Sequence, residues 1–222
     1  MHRSLFRYIN RFAALLKDSW REGRGKRLSR RIKELAAVLI YPFYRRGVYV
    51  VMTRSLAELT IPTPSTTGIV VRAIQEADIP SMQAVSSASD GERFTHLLAQ
   101  GSMGFVAESD GQVAGYCWAS PYLTRSLHRV DIPLQPGDVL VHDILTVPEF
   151  RRRGVARAMV TRLFVSLRKQ GYHRAVNHVR ADNQTALATH RSLGYLEEYC
   201  LIHRRFLWVD HFQRVPLAGS RR

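Results

Sequence analysis

Arg151-Arg152-Arg153-Gly154-Val155-Ala156 sets three consecutive guanidinium groups beside two residues with little or no side chain, and Arg157 follows at once. Such a run can hold an anion in two ways. The first turn of a helix leaves backbone N–H groups without intrahelical partners, and its aligned peptide dipoles make that end positive. Arginine side chains add charge-assisted hydrogen bonds to phosphate oxygens, while Gly154 and Ala156 let a ligand approach the backbone closely. The guest expected on Arg151, Arg152, Arg153, Gly154, Val155, Ala156 and Arg157 is therefore a pyrophosphate. No Lys-Ser/Thr pair follows the glycine, which speaks against a nucleotide-triphosphate loop and a kinase-type activity.

The flanking sequence supplies the elements that such a cradle needs. Val139 to Val147 is an apolar, strand-like stretch that turns at Pro148. Val155, Met159, Leu163 and Leu167 then recur every fourth position, with Val160 and Phe164 beside them and Arg157, Arg162, Arg168 and Lys169 off the stripe, which is the pattern of an amphipathic helix. Gly171 is placed to end it. Upstream, the residue pattern predicts a strand over 69–73, a helix from about Asp78 to Ser87, a short helix over 92–100, and a hairpin with Ser109-Asp110-Gly111 at its turn. Residues 121–138 form a long irregular segment suited to a substrate-side loop. Downstream come a strand over 174–179, a helix over 184–193 and strands around 195–205 and 206–209. Strands and helices alternating in this way, with antiparallel hairpins, indicate an α/β sandwich around a mixed sheet.

The strand, turn and helix around Arg151, Gly154 and Ala156 resemble motif A of the GNAT N-acetyltransferase superfamily, Gln/Arg-x-x-Gly-x-Gly/Ala. Asn183-x-x-Ala186 followed by Leu193-Gly194-Tyr195, and the upstream Ile69-Val70-Val71-Arg72-Ala73 with Asp78-Ile79, continue the resemblance over roughly residues 69 to 209. It implies a three-layer sandwich with a central mixed, mostly antiparallel sheet. It also implies direct transfer of an acyl group from acetyl-CoA, or another acyl-CoA, to a primary amine, with no metal. The cofactor-binding strand segment is then Leu145, Thr146 and Val147, with backbone groups at Leu145 and Val147 pairing with the pantetheine, and Asn183 joins the cofactor-binding set.

Two positions are candidates for the base. Asp143 matches the place where polyamine acetyltransferases carry a glutamate, and strict alternation puts it on the face of Val141 and Leu145. His178 matches the place where ribosomal-protein N-terminal acetyltransferases carry theirs, and imidazole titrates near neutral pH. Each has a plain structural alternative: a carboxylate bonded to a neighbouring N–H, or a satisfied sheet histidine. His142 is a further position for the role. The departure from the family lies at His190, where a tyrosine that protonates the coenzyme sulfur is usual. Helical spacing groups His190 with Ala186, Leu187 and Leu193, and either an acid role or simple packing fits it.

Composition bounds the rest. The 222 residues suffice for one domain with a sizeable core plus an extension. Cys117 and Cys200 are too few for a disulfide framework or a zinc cluster, in keeping with a reducing cytoplasm. The net charge is +15, of which residues 1–46, with 13 Lys/Arg against Asp18, Glu22 and Glu34, hold +10. That extension reads as two basic amphipathic helices suited to an anionic membrane surface, an acidic protein, or packing on the chain itself. A strand and Pro/Thr/Ser linker over 47–68, an acyltransferase domain over 69–210 and a tail over 211–222 complete the expected organisation. The arginines of the extension sit among aliphatic residues at core-like spacing, so nucleic-acid binding is not favoured. The expected acceptor is an amine-bearing small molecule or peptide. A non-catalytic CoA-binding module, or a transferase taking a longer acyl chain from CoA or an acyl carrier protein, is the alternative.

Overall fold

The computed structural model describes residues 44–57, 68–87, 89–123, 130–206 and 209–217. The expected helices of the extension, most of the 59–68 linker and part of the 121–138 loop lie outside them. The elements are β1 (Tyr44–Ser55), β2 (Val70–Ala73), α1 (Ile79–Val85), α2 (Asp90–Ala99), β3 (Met103–Ser109), β4 (Gln112–Ser120), β5 (Asp138–Thr146), α3 (Val155–Lys169), β6 (Arg174–Arg180), α4 (Gln184–Ser192), β7 (Leu196–Phe206) and β8 (Val209–Pro216). The eight strands form one mixed sheet in the order β2-β3-β4-β5-β6-β1-β7-β8, an α/β sandwich as expected. β8 carries a strand to Pro216, into the segment read as a tail.

Two compact units are distinguished, Met1–Gly47 with Ile202–Gln213, and Val48–Leu201 with Arg214–Arg222. In the described part of the first, the His203 ring stacks on Phe212 with centroids 4.5 Å apart, and its Nε2 lies 2.7 Å from Asp210 Oδ1.

The second unit holds two cores, one on each face of the sheet. On one face α3 buries Val155, Met159, Val160, Leu163, Phe164 and Leu167 against Met52, Cys117, Val141, Ala175 and Val179 of the strands. Here the fourfold periodicity read in the sequence becomes packing, and Leu163→Ala at a fully buried position would cost about 2–5 kcal/mol. Cys117 lies in this core, where burial pushes its thiol up to about 12, so it packs rather than reacts. On the other face Ile79 and Met82 of α1 and Phe94 and Leu97 of α2 cover Val106, Tyr116 and Trp118. The β3–β4 hairpin turns through Asp110 and Gly111, both at positive φ (51° and 74°), as a tight hairpin turn requires.

Candidate active site

β5 and β6 pair in parallel over only three positions, Asp138↔Arg174, Val139↔Ala175 and Leu140↔Val176. That end is pinned, since Arg174 donates to both carboxylate oxygens of Asp138 at 2.8 and 2.7 Å. Beyond it the strands part, because each is committed elsewhere. β6 is held on its other edge by β1, from Ser55↔Arg174 to Tyr49↔Arg180. β5 follows β4 through an irregularity between Tyr116 and Trp118, and Asp143 sits there at φ 50°, the signature of a bulge. The gap is a cleft of about 300 Å³ bordered by His142, Asp143 and Ile144 on one strand and Asn177 and His178 on the other, with His190 of α4 beside it.

The bulge corrects the expected alternation. Val141 packs in the α3 core, whereas Leu145 packs against the α1 and α2 core, so the two point to opposite faces and Asp143 shares no face with both. One extra residue between them inverts the period. On regular β6 the alternation holds: Ala175 and Val179 face α3, Asn177 binds α4, and Arg174, Val176, His178 and Arg180 face the other way. The cleft is thus reached from both faces, with His190 on the α3/α4 side and His178 on the α1/α2 side.

Asp143 is engaged on that second side. Arg93 of α2, which also meets Asp90 at 3.4 Å, donates to Asp143 Oδ2, and His142 Nδ1 lies 3.0 Å from the same oxygen. Burial pushes the Asp143 carboxyl up, but the His142 and Arg93 bonds outweigh it and hold it well below the usual carboxylate range. It is therefore an anion that keeps its charge, and a weak proton store. His142 Nε2 lies 2.8 Å from Ser120 Oγ. The order carboxylate, imidazole, hydroxyl is that of a serine nucleophile, yet Ser120 is fully buried and meets Ser102 Oγ at 2.8 Å. It has no route to an acyl group and instead orients the imidazole.

His190, 7% exposed, has both ring nitrogens engaged, Nδ1 with the Ala186 carbonyl at 2.7 Å and Nε2 with Asn177 Nδ2 at 2.8 Å. A carbonyl only accepts, so Nδ1 carries the proton and Nε2 accepts from the Asn177 amide. Burial lowers the proton affinity of the ring, against a smaller opposite effect of the Ala186 bond. An acid toward sulfur would need a second proton on a ring that disfavours it, so the geometry fits the packing alternative.

The turn leading into α3 has the expected form. Arg151, Arg152, Arg153 and Gly154 are exposed, Arg152 and Gly154 adopt positive φ (61° and 78°), and no side chain caps the helix at Gly154. Val155 is buried and Ala156 partly so. The four arginines are not equivalent: Arg151 Nε reaches the Thr146 carbonyl at 3.4 Å, Arg157 the Ser192 carbonyl at 3.2 Å, and Arg153 lies over the Phe150 ring.

One expected pairing is corrected. Val147 N–H already donates to the Ala114 carbonyl at 3.0 Å, and Leu145 is in register with Tyr116 of β4. Backbone groups two residues apart on a strand point to the same neighbour, so Leu145 and Val147 face β4 and the open edge belongs to Ile144 and Thr146. Asn183 borders the cleft, but its side-chain oxygen caps α4 by accepting from Ala186 N at 3.1 Å. Arg93, Ile144 and Asn177 escaped the sequence reading. Nothing in the local pattern of α2 marks Arg93, and the edge position of Ile144 shows only once the bond at Val147 is known.

Among the described residues no group of three or more His, Cys, Asp or Glu is placed to hold a metal ion, and no helix is long and apolar enough to cross a membrane. Residues 71–195 match the model of the acetyltransferase (GNAT) family. The chain is similar in structure to a GNAT-family protein of Novosphingobium aromaticivorans (22% identity over 72% of this chain and 64% of that one, TM-score 0.52). It is also similar to GCN5-related N-acetyltransferases of Sphaerobacter thermophilus (18% identity, 79% and 57% covered, TM-score 0.51) and Kribbella flavida (15%, 78% and 63%, TM-score 0.54). At these identities the likeness is one of fold, and the chain spans less than two thirds of the length of these three proteins.

Proposed function

Because the chain belongs to the acetyltransferase (GNAT) family, we propose that it is an N-acyltransferase that moves an acetyl group from acetyl-CoA to a primary amine by direct attack. The observation that carries this reading is the parting of β5 and β6 beyond Leu140↔Val176, which opens one cleft to both faces of the sheet. A thioester entering from the α3 side, with its pyrophosphate on the turn at Arg151–Gly154 and its pantetheine along Ile144 and Thr146, meets an amine arriving from the α1 side. Holding both reactants at that gap supplies the proximity that a bimolecular attack lacks in water.

The amine lone pair attacks the thioester carbonyl, the C–N bond forms, the C–S bond breaks, and the proton lost by nitrogen ends, in net, on the sulfur. Asp143 stays ionised throughout and stabilises the positive charge that develops on the attacking nitrogen. Arg93 and the Nδ1–H of His142 fix its carboxylate, and Ser120 fixes His142. His178 borders the cleft on the amine side and takes the proton, since a carboxylate held far below its usual range holds a proton poorly. His190 braces α4 against Asn177 and lines the thioester side.

The test is free-thiol release from acetyl-CoA across a panel of amines of increasing length, with wild type, Asp143→Asn and His178→Ala. Amine-dependent release that both substitutions diminish supports the assignment. Tight CoA binding with no release for any amine would instead mark a CoA-binding module.

A further inference from the structure

Residues 150–181 contain nine Lys/Arg and no Asp or Glu. The guanidinium groups of this unit outside the cradle and α3 mostly meet carboxylates: Arg72 with Asp78 and Glu108, Arg93 with Asp143, Arg174 with Asp138, Arg180 with Asp182 and Arg191 with Glu197. On α3 the arrangement is different. Arg162, Arg168 and Lys169 are exposed, and among the described residues no carboxylate forms a salt bridge with any of them. At 100° per residue, Arg157 and Arg168 fall in one row and Arg162 and Lys169 in another, with Thr161 and Val165 between them. The outer face of the helix is therefore a cationic ridge that begins at the cradle.

A nucleotide cofactor does not account for the far end of that ridge. Arg168 and Lys169 lie 14 and 15 residues beyond Gly154, about 21–22 Å along the helix. The Debye length at physiological ionic strength is about 8 Å. Exposed charges more than two such lengths away add almost nothing to the hold on a pyrophosphate at the first turn. What they can hold is a larger acidic body reaching the cradle and the end of α3 together.

We propose that this ridge docks an acidic carrier protein that presents the acyl group on a phosphopantetheine arm, so that the donor is read at two places, its phosphate at the turn and its protein body along α3. The proposal rests on the acyl-transfer reading above and extends it to the form of the donor. The amine attacks the carrier-bound thioester, the C–N bond forms as the C–S bond breaks, and the carrier leaves with a free thiol that has gained the proton lost by nitrogen. A carrier has no adenosine to grip, and the electrostatic attraction of its body to the ridge speeds encounter in its place.

The probe is an acetylated holo acyl carrier protein, compared with acetyl-CoA on the full-length chain. The triple variant Arg162→Glu, Arg168→Glu, Lys169→Glu is expected to lower kcat/KM for the acetyl-carrier about tenfold or more and leave that for acetyl-CoA unchanged. The milder Arg162→Gln, Arg168→Gln, Lys169→Gln variant should fall between, which guards against a folding artefact. Anisotropy of the labelled holo carrier should report binding that raised salt weakens and the triple variant loses. No carrier binding at low salt, an equal loss for both donors, or loss in the triple variant of binding to anionic vesicles or nucleic acid while carrier binding persists, each overturns the proposal. Carrier binding without thiol release from either donor would keep the docking surface and reject the acyl-transfer reading.

Discussion

At the turn into α3, which does not itself border the cleft, the groups on offer are backbone N–H dipoles and exposed guanidinium groups, none of which forms a salt bridge with a carboxylate among the described residues. Where the cleft opens toward α1 and α2, Asp143 is already tied to Arg93 and His142, and His142 to Ser120. The first offers backbone groups and unbridged charge; the second offers particular side chains that fix one another. His178 and His190 mark the same divide. They border one cleft from opposite faces of β6, and the bonds of His190 to Ala186 and Asn177 commit both its nitrogens.

If that contrast is right, the largest effect should come from the backbone of the α3 side. Gly154→Val places a β-branched residue at φ 78°, a strain of about 1–3 kcal/mol that the turn relieves by leaving its cradle geometry. CoA affinity measured by calorimetry should fall on the order of a hundredfold, with far-UV circular dichroism unchanged. An Arg152→Ala variant should weaken binding much less, and the reverse order would break the contrast between backbone and side-chain dependence.

On the opposite side, His178→Ala should lower kcat about a hundredfold with CoA affinity intact. Asp143→Asn should cost about tenfold to thirtyfold, as expected for the loss of a charged hydrogen-bonding group, mainly in kcat, since the charge it meets develops only during attack. A larger loss for Asp143→Asn than for His178→Ala would move the proton-accepting role to the carboxylate.

The smallest kinetic effect is expected at His190. His190→Phe should retain turnover within about threefold, since no acid is lost, but it leaves the buried Asn177 amide without an acceptor at a stability cost of about 1–3 kcal/mol. Because burial lowers the proton affinity of His190 in the folded state, the unfolded chain binds the proton more readily. Its contribution to stability is present above the ordinary imidazole value near 6.5 and is lost as pH falls below it. Thermal melts at pH 8 and pH 5.5 should therefore differ more for wild type than for His190→Phe. A steep loss of turnover in the folded variant would restore the acid role.

Much of this was legible in the residues themselves. The fourfold apolar spacing from Val155 to Leu167 required one buried helix face, Gly154 and Gly171 bounded the helix, and three arginines stood in the exposed turn before it. Each is a local matter of period, φ or charge, which is why sequence suffices. Asp143, His178 and His190 were likewise chosen by position along their elements, and all three border one cleft.

Their roles could not be read in the same way. A single extra residue at Asp143 inverts the face of every side chain before it relative to those after it, and no residue type announces such a bulge. Arg93 lies 50 positions from Asp143 and meets it only because α2 packs over Tyr116 and Trp118; that contact, with His142, keeps the carboxylate charged. The commitment of His190 to Asn177 was equally hidden, because hydrogen bonds across elements depend on packing distances that spacing along one chain does not encode. The sequence by itself determined the helices of the described residues, the exposed glycine turn before α3 and the short list of candidate side chains. The tertiary structure decided which are charged, which are already bonded and which face of the sheet each one serves, because proton affinity and reach are properties of the surroundings rather than of the residue.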